Sequence, residues 1–125
     1  MAPVKYNNLD ISKIKVSKLE DAYLGYSSQD SWKSKSQEDE FEKLLKRVWR
    51  ARGFGDFIIH MMVAEGSLDL SMEPTLAIWD MAALIPIIRE AGGKVTSLSG
   101  GDSLVEKSMV TTNGFLHDQT IKLFN

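Results

Sequence analysis

Three carboxylates stand where their surroundings suit chemistry. Asp56 lies between the glycine turn Gly53-Phe54-Gly55 and an apolar run, Glu73 directly precedes Pro74, and Asp80 follows Trp79 at the head of a periodic apolar segment. Carboxylates gathered at one rim hold a hard divalent cation through oxygen. Strand-to-helix junctions are where open α/β sheets collect ligand sites. Each acid also has a plainer reading: Asp56 and Asp80 as helix N-caps, Glu73 as a solvated strand end. His60 sits in an almost wholly apolar stretch and reads as a core histidine whose ring nitrogens need partners. His117 heads the last helix and reads as surface. The chain has no cysteine, which removes thiolate catalysis, disulfides and Cys-based zinc sites together. No Gly-x-Ser-x-Gly elbow occurs, and Gly92-Gly93 reads as a helix stop, not a dinucleotide fingerprint.

These residues need elements to position them. Ile11, Ile14, Val16 and Leu19 alternate loosely and suggest an edge strand or extended entry segment. Ala22 to Ser27 reads as a strand, and Asp30 to Gln37 as a Ser- and Lys-rich loop. Ser36 is placed to cap a helix whose first turn is acidic. Phe41, Leu44, Leu45, Val48 and Trp49 then recur at helical spacing. Arg52 to Asp56 breaks that period and suggests a tight turn. Phe57 to about Glu65 is apolar nearly all round, so it predicts a buried helix ended by Gly66. Leu68 to Glu73 alternates as a strand. A helix from about Trp79 or Asp80 to Ala91 carries Met81, Leu84, Ile85, Ile88 and Ala91 on one stripe, and Pro86 within it must cost stability or kink the axis. Strands at Val95–Leu98 and Met109–Thr112 follow, separated by a Gly100-Gly101-Asp102 turn. Asn113-Gly114 turns the chain into a terminal helix, His117 to Phe124. This alternation predicts an α/β fold, a mixed and largely parallel sheet flanked by helices.

With 125 residues, 43% hydrophobic and 26% charged, the chain is expected to form a single domain over residues 1–125. A formal net charge of -2 argues against nucleic-acid binding through bulk positive charge. No apolar stretch approaches the ~20 residues of a membrane span, and no signal-peptide core is visible. The expected compartment is the cytoplasm, with no membrane partner.

Trp79-Asp80-Met81-Ala82-Ala83, followed by Glu90-Ala91-Gly92-Gly93, resembles the second signature of the inositol monophosphatase family, W-D-x-A-A, a spacer, then E-A-G-G. Lys18 to Ala22, Arg52 with Gly55, Val63 to Gly66, Asp69 and Thr112-Asn113-Gly114 resemble further elements of that family, so the likeness runs from about Ile11 to the end. The resemblance implies hydrolysis of small phosphate monoesters with Mg2+, a metal cluster polarising the phosphoryl group and activating water. It implies that Asp80 is a metal ligand. It implies that Glu73 contacts the leaving-group portion of the substrate, and that Gly55 and Asp56 line the same pocket. Gly55-Asp56 resembles the histidinol-phosphatase branch, especially its actinobacterial members. An acid there complements the ammonium group of histidinol phosphate; an inositol ring offers only hydroxyls. Inositol phosphate is the alternative substrate.

The family's Glu-rich helix and its Asp-Pro-[Ile/Leu]-Asp-Gly-Thr loop do not occur here. The chain therefore looks like the C-terminal half of such an enzyme, carrying no catalytic residue beyond the metal ligand and expected to be inactive alone. Its expected partners are the phosphorylated substrate and either a second copy of itself or the missing N-terminal half. The rival reading is a non-catalytic α/β module that kept the scaffold and lost the chemistry.

Overall fold

A computed structural model of the chain describes residues 5–6, 9–10, 16–33, 36–55 and 57–125. Two short strands, β1 (Lys5–Tyr6) and β2 (Leu9–Asp10), pair antiparallel. Of the expected entry segment, residues 11–15 lie outside the described ones. Leu19 opens a single 3-10 turn, Leu19–Asp21, and is fully buried.

The main sheet takes β3 (Tyr23–Tyr26), β4 (Arg50–Gly53), β5 (Leu70–Glu73), β6 (Lys94–Thr96) and β7 (Met109–Thr112) in the order β4-β3-β5-β7-β6. β3 runs parallel to β4 and to β5, and β7 runs antiparallel to β5 and to β6. The sheet is therefore mixed, with its parallel part at the β4 side. β4 falls where the sequence suggests the end of a helix followed by a turn. Its residues, Arg-Ala-Arg-Gly, neither alternate nor carry β-branched side chains, and they are mostly exposed. An edge strand paired on one side tolerates that composition.

Helices cover both faces. α1 (Glu38–Arg47) follows the acidic start expected, although its N-cap is Gln37, without a side-chain bond, in place of Ser36. It buries Phe41 and Leu44 on one face of the sheet. There Trp32 stacks on Phe41 with ring centroids 4.3 Å apart. α6 (His117–Leu123) lies on the same side, with Leu116 and Phe124 in the same cluster. On the other face lie α2 (Ile58–Glu65), α3 (Ile78–Ala82) and α4 (Leu84–Glu90), with α5 (Ser103–Glu106) packed against α3. The single helix expected over Trp79–Ala91 is divided at Ala83. Pro86 has no N–H for the carbonyl of Ala82, and its ring crowds that carbonyl, so α3 ends there. α2 stops at Gly66, whose φ of 89° suits glycine.

The central strand β5 is buried on both faces. Successive side chains alternate, so Leu70 and Met72 enter the α1–α6 core while Ser71 and Glu73 face α2. Each buried Leu or Met contributes about 1.5–3 kcal/mol by leaving water. Among the described residues no helix is long and apolar enough to cross a membrane.

Candidate active site

The register across β4, β3 and β5 determines where this site forms. Tyr26 stands opposite Gly53 on one side and Met72 on the other. The three parallel strands therefore end level with one another. Gly55 leaves β4 and Glu73 closes β5 at the same edge, with β3 between them. The carboxyl ends of parallel strands are where α/β sheets bind ligands. The N–H of Phe54 bonds to the carbonyl of Tyr26 at 2.8 Å and carries the β4–β3 pairing one step further. Gly55 is exposed, and a Cβ built on it would meet nothing within 4 Å. Asp56 lies outside the described residues. The N-cap position of α2 belongs to Phe57, which makes no side-chain cap bond.

Asp80 is the third residue of α3 and is exposed. Fully buried Met81 anchors this short helix to the core, which leaves Trp79 and Asp80 on the outside. The preceding connection is fixed by the N–H of Leu76 bonding to the carbonyl of Lys107 at 2.8 Å. A carboxylate in the first turn meets the positive end of the peptide dipoles.

Glu73 is held differently from Asp80. Its side chain is 8% exposed, and Oε1 accepts from His60 Nε2 at 3.0 Å. His60 is fully buried, as its apolar helix implies, and its Nδ1 lies 2.8 Å from Ser71 Oγ and 2.9 Å from Thr111 Oγ1. Ser71 and Thr111 face each other across β5 and β7. The sheet thus brackets one ring nitrogen with two hydroxyls while Glu73, two residues along β5, takes the other. The sequence signal for this cluster was polar residues at the inward positions of two apolar strands, beneath a lone histidine in an apolar helix. Among the described residues no group of three or more His, Asp or Glu stands close enough to hold a metal ion.

His117 is a correction: it is 2% exposed, not a surface residue. Its Nε2 lies 2.7 Å from Thr96 Oγ1 and its Nδ1 3.1 Å from Thr112 Oγ1. Burial, reinforced by Lys94 and opposed by Asp118, pushes the imidazole down to about 4. Asp69 ties the opposite strand ends together. Its Oδ2 accepts from the Tyr23 N–H at 2.8 Å, its own N–H bonds to the Tyr23 carbonyl, and its carbonyl accepts from the Asn113 N–H. Burial raises its carboxyl above the usual range, against the lowering by the Tyr23 N–H.

The family model described as the inositol monophosphatase family matches residues 3–125. The chain is 41% identical over 115 residues to the histidinol-phosphatase of Mycobacterium tuberculosis, covering 92% of this chain and 44% of that protein. It is 46% identical over 110 residues to the histidinol-phosphatase of Streptomyces coelicolor, covering 88% and 41%. The solved structure of the extragenic suppressor protein suhB from Bartonella henselae superposes with a TM-score of 0.74 at 30% identity, over 87% of this chain and 44% of that one. The chain thus spans less than half the length of the curated relatives it matches.

Proposed function

The chain belongs to the inositol monophosphatase family, and on that footing we propose that it forms the C-terminal half of a magnesium-dependent hydrolase of histidinol phosphate. The reaction adds water across the phosphate ester and releases histidinol and inorganic phosphate, a step of histidine biosynthesis in the cytoplasm. The observation that carries the reading is the 41% and 46% identity to two histidinol-phosphatases. The geometry supports it: Gly55 and Glu73 leave one sheet edge, and Asp80 stands exposed on the helix that follows β5.

Magnesium takes several hard oxygen ligands and keeps near-octahedral geometry. Asp80 offers one such ligand, and the described residues offer no cluster around it. They do not make a magnesium site by themselves. Asp80 is proposed as one member of a set completed by the N-terminal half, and the chain alone as inactive. Glu73 and Asp56 are proposed to receive the alcohol portion, with Asp56 facing its ammonium group.

The test is phosphate release from histidinol phosphate with Mg2+. The chain is assayed alone and as a replacement for the matching segment of the Streptomyces coelicolor relative. No release alone and clear release from the chimera are expected. Asp80→Asn should abolish that turnover. Asp56→Ala should weaken histidinol phosphate by roughly 2–4 kcal/mol while sparing inositol phosphate. Equal slowing of both substrates overturns the substrate assignment, and full activity in Asp80→Asn overturns the role of that residue. A chimera that folds but releases no phosphate overturns the phosphatase reading.

A further inference from the structure

Glu73 is buried at a sheet edge, yet only one of its oxygens is engaged. Oε1 bonds to His60, while no bond to Oε2 occurs among the described residues. Among the described residues the sealed, unpartnered side-chain atoms are Trp32 Nε1, Glu40 Oε2 and Ser103 Oγ, and Oε2 of Glu73 is not one of them. It therefore keeps a path to solvent, consistent with the 8% exposure of the side chain. A carboxylate accepts only, so Nε2 of His60 must carry the hydrogen of their 3.0 Å bond. In the neutral ring Nδ1 then accepts, and the hydroxyls of Ser71 and Thr111, at 2.8 and 2.9 Å, are the donors in reach. The Glu73 carboxylate thus determines that Nε2 bears hydrogen, the two hydroxyls adapt to Nδ1, and the Nε2 bond to Oε1 leaves Oε2 free. A partner that fixes a tautomer and orients an acid is the second-layer support that binding constellations need.

We propose that His60 is a positioning residue. Through Nε2–H it holds Glu73 Oε1 so that Oε2 is presented, unpaired, to a hydrogen-bond donor on the alcohol portion of the substrate. The cluster selects a hydroxyl or ammonium donor and repels a carboxylate or a second phosphate at that position. This inference rests on the phosphatase reading for the identity of the ligand, but not for the His60–Glu73 bond itself.

Two substitutions separate positioning from mere packing. Gln extends an amide nitrogen to about where Nε2 stands, whereas Asn matches Nδ1 and leaves Glu73 unheld. On this chain, nitrogen-15 spectra of His60 should place the hydrogen on Nε2. The carbon-13 carboxyl resonance of Glu73 should keep its position in His60→Gln and move in His60→Asn. In the chimera, His60→Asn should raise KM for histidinol phosphate about tenfold, with kcat changed less than about threefold, and His60→Gln should restore it. Hydrogen on Nδ1 with none on Nε2 overturns the proposal, as does equal loss in both variants. If the chimera shows no turnover while the His60 signature holds, the phosphatase reading fails. Histidinol binding to this chain, read from the Glu73 resonance, then decides the positioning role. Weakening in His60→Asn alone supports it, and no difference between the variants overturns it.

Discussion

Thr111 and Thr112 are consecutive in β7, so they face opposite sides of the sheet, and each meets a buried histidine. Thr111 meets His60 beneath α2, and Thr112 meets His117 at the start of α6. The two histidines differ in their company. His60 has a carboxylate beside it, whereas His117 has two threonine hydroxyls and the nearby charge of Lys94. Neutral His117 is therefore favoured in the fold. Between its ordinary value of 6.5 and about 4, the unfolded chain binds more protons at this position than the folded one. Stability from His117 is complete above that window and is lost as pH falls through it. At about 1.4 kcal/mol per pKa unit, the loss is on the order of a few kcal/mol. Asp69, raised by burial, works in the opposite sense, since its folded form holds its proton longer as pH rises. The informative quantity is therefore a difference. Urea midpoints of the wild type should fall more steeply from pH 7 to pH 4 than those of His117→Gln. Parallel profiles would show that His117 does not titrate this way.

At the scale of elements, the pair Gly92-Gly93 does two separate jobs. Gly92 adopts φ 90° just after α4, which turns the chain toward β6. Gly93 is there for space: a Cβ on it would lie 2.9 Å from the Thr112 carbonyl oxygen and 2.9 Å from Ile88 Cγ2. Backbone cannot give way as a side-chain tip can. Gly93→Ala should cost about 1–3 kcal/mol, seen as a lower urea midpoint with an unchanged slope. A midpoint equal to wild type would mean that β6 and β7 separate without penalty. The same elements show what was readable beforehand. Periodic apolar spacing located α1, a run apolar nearly all round located α2, and alternation located β5. Pro86 announced a disturbance, but not that the chain would break three residues earlier. β4 carried no signal, because Arg50 to Gly53 is specified by its partner β3 and not by its own residues. His117 was misjudged because helix starts are usually exposed, and only tertiary packing of α6 over β6 and β7 buries it.

Across the whole molecule, the candidate site was legible only as a set of strand-to-helix junctions. Sequence positions place Gly55 and Glu73 after strands, yet their common edge depends on β3 lying between β4 and β5, a pairing between segments far apart in the chain. The same arrangement leaves β4 as an edge among the described strands. Large apolar side chains also face water: Trp79 is 82% exposed on α3, and Val105 is 74% exposed on neighbouring α5. Ile78, Phe57 and Ile58 are also exposed. Single exposed apolar residues are ordinary, but bulky ones on the neighbouring helices α3 and α5, together with an unpaired strand edge elsewhere on the sheet, favour association. Burying one such aromatic against another chain removes enough apolar surface to contribute about 1.5–3 kcal/mol. The chain should therefore self-associate in a concentration-dependent way, with its weight-average mass in sedimentation equilibrium rising through the micromolar range. Replacing the two most exposed residues, Trp79→Lys together with Val105→Lys, should return it to a monomer without lowering its urea midpoint, because neither side chain is packed. A wild-type chain that stays monomeric at high micromolar concentration would show that this surface is tolerated by water. Association that persists unchanged in the double variant would instead place the contact at the open edge of β4.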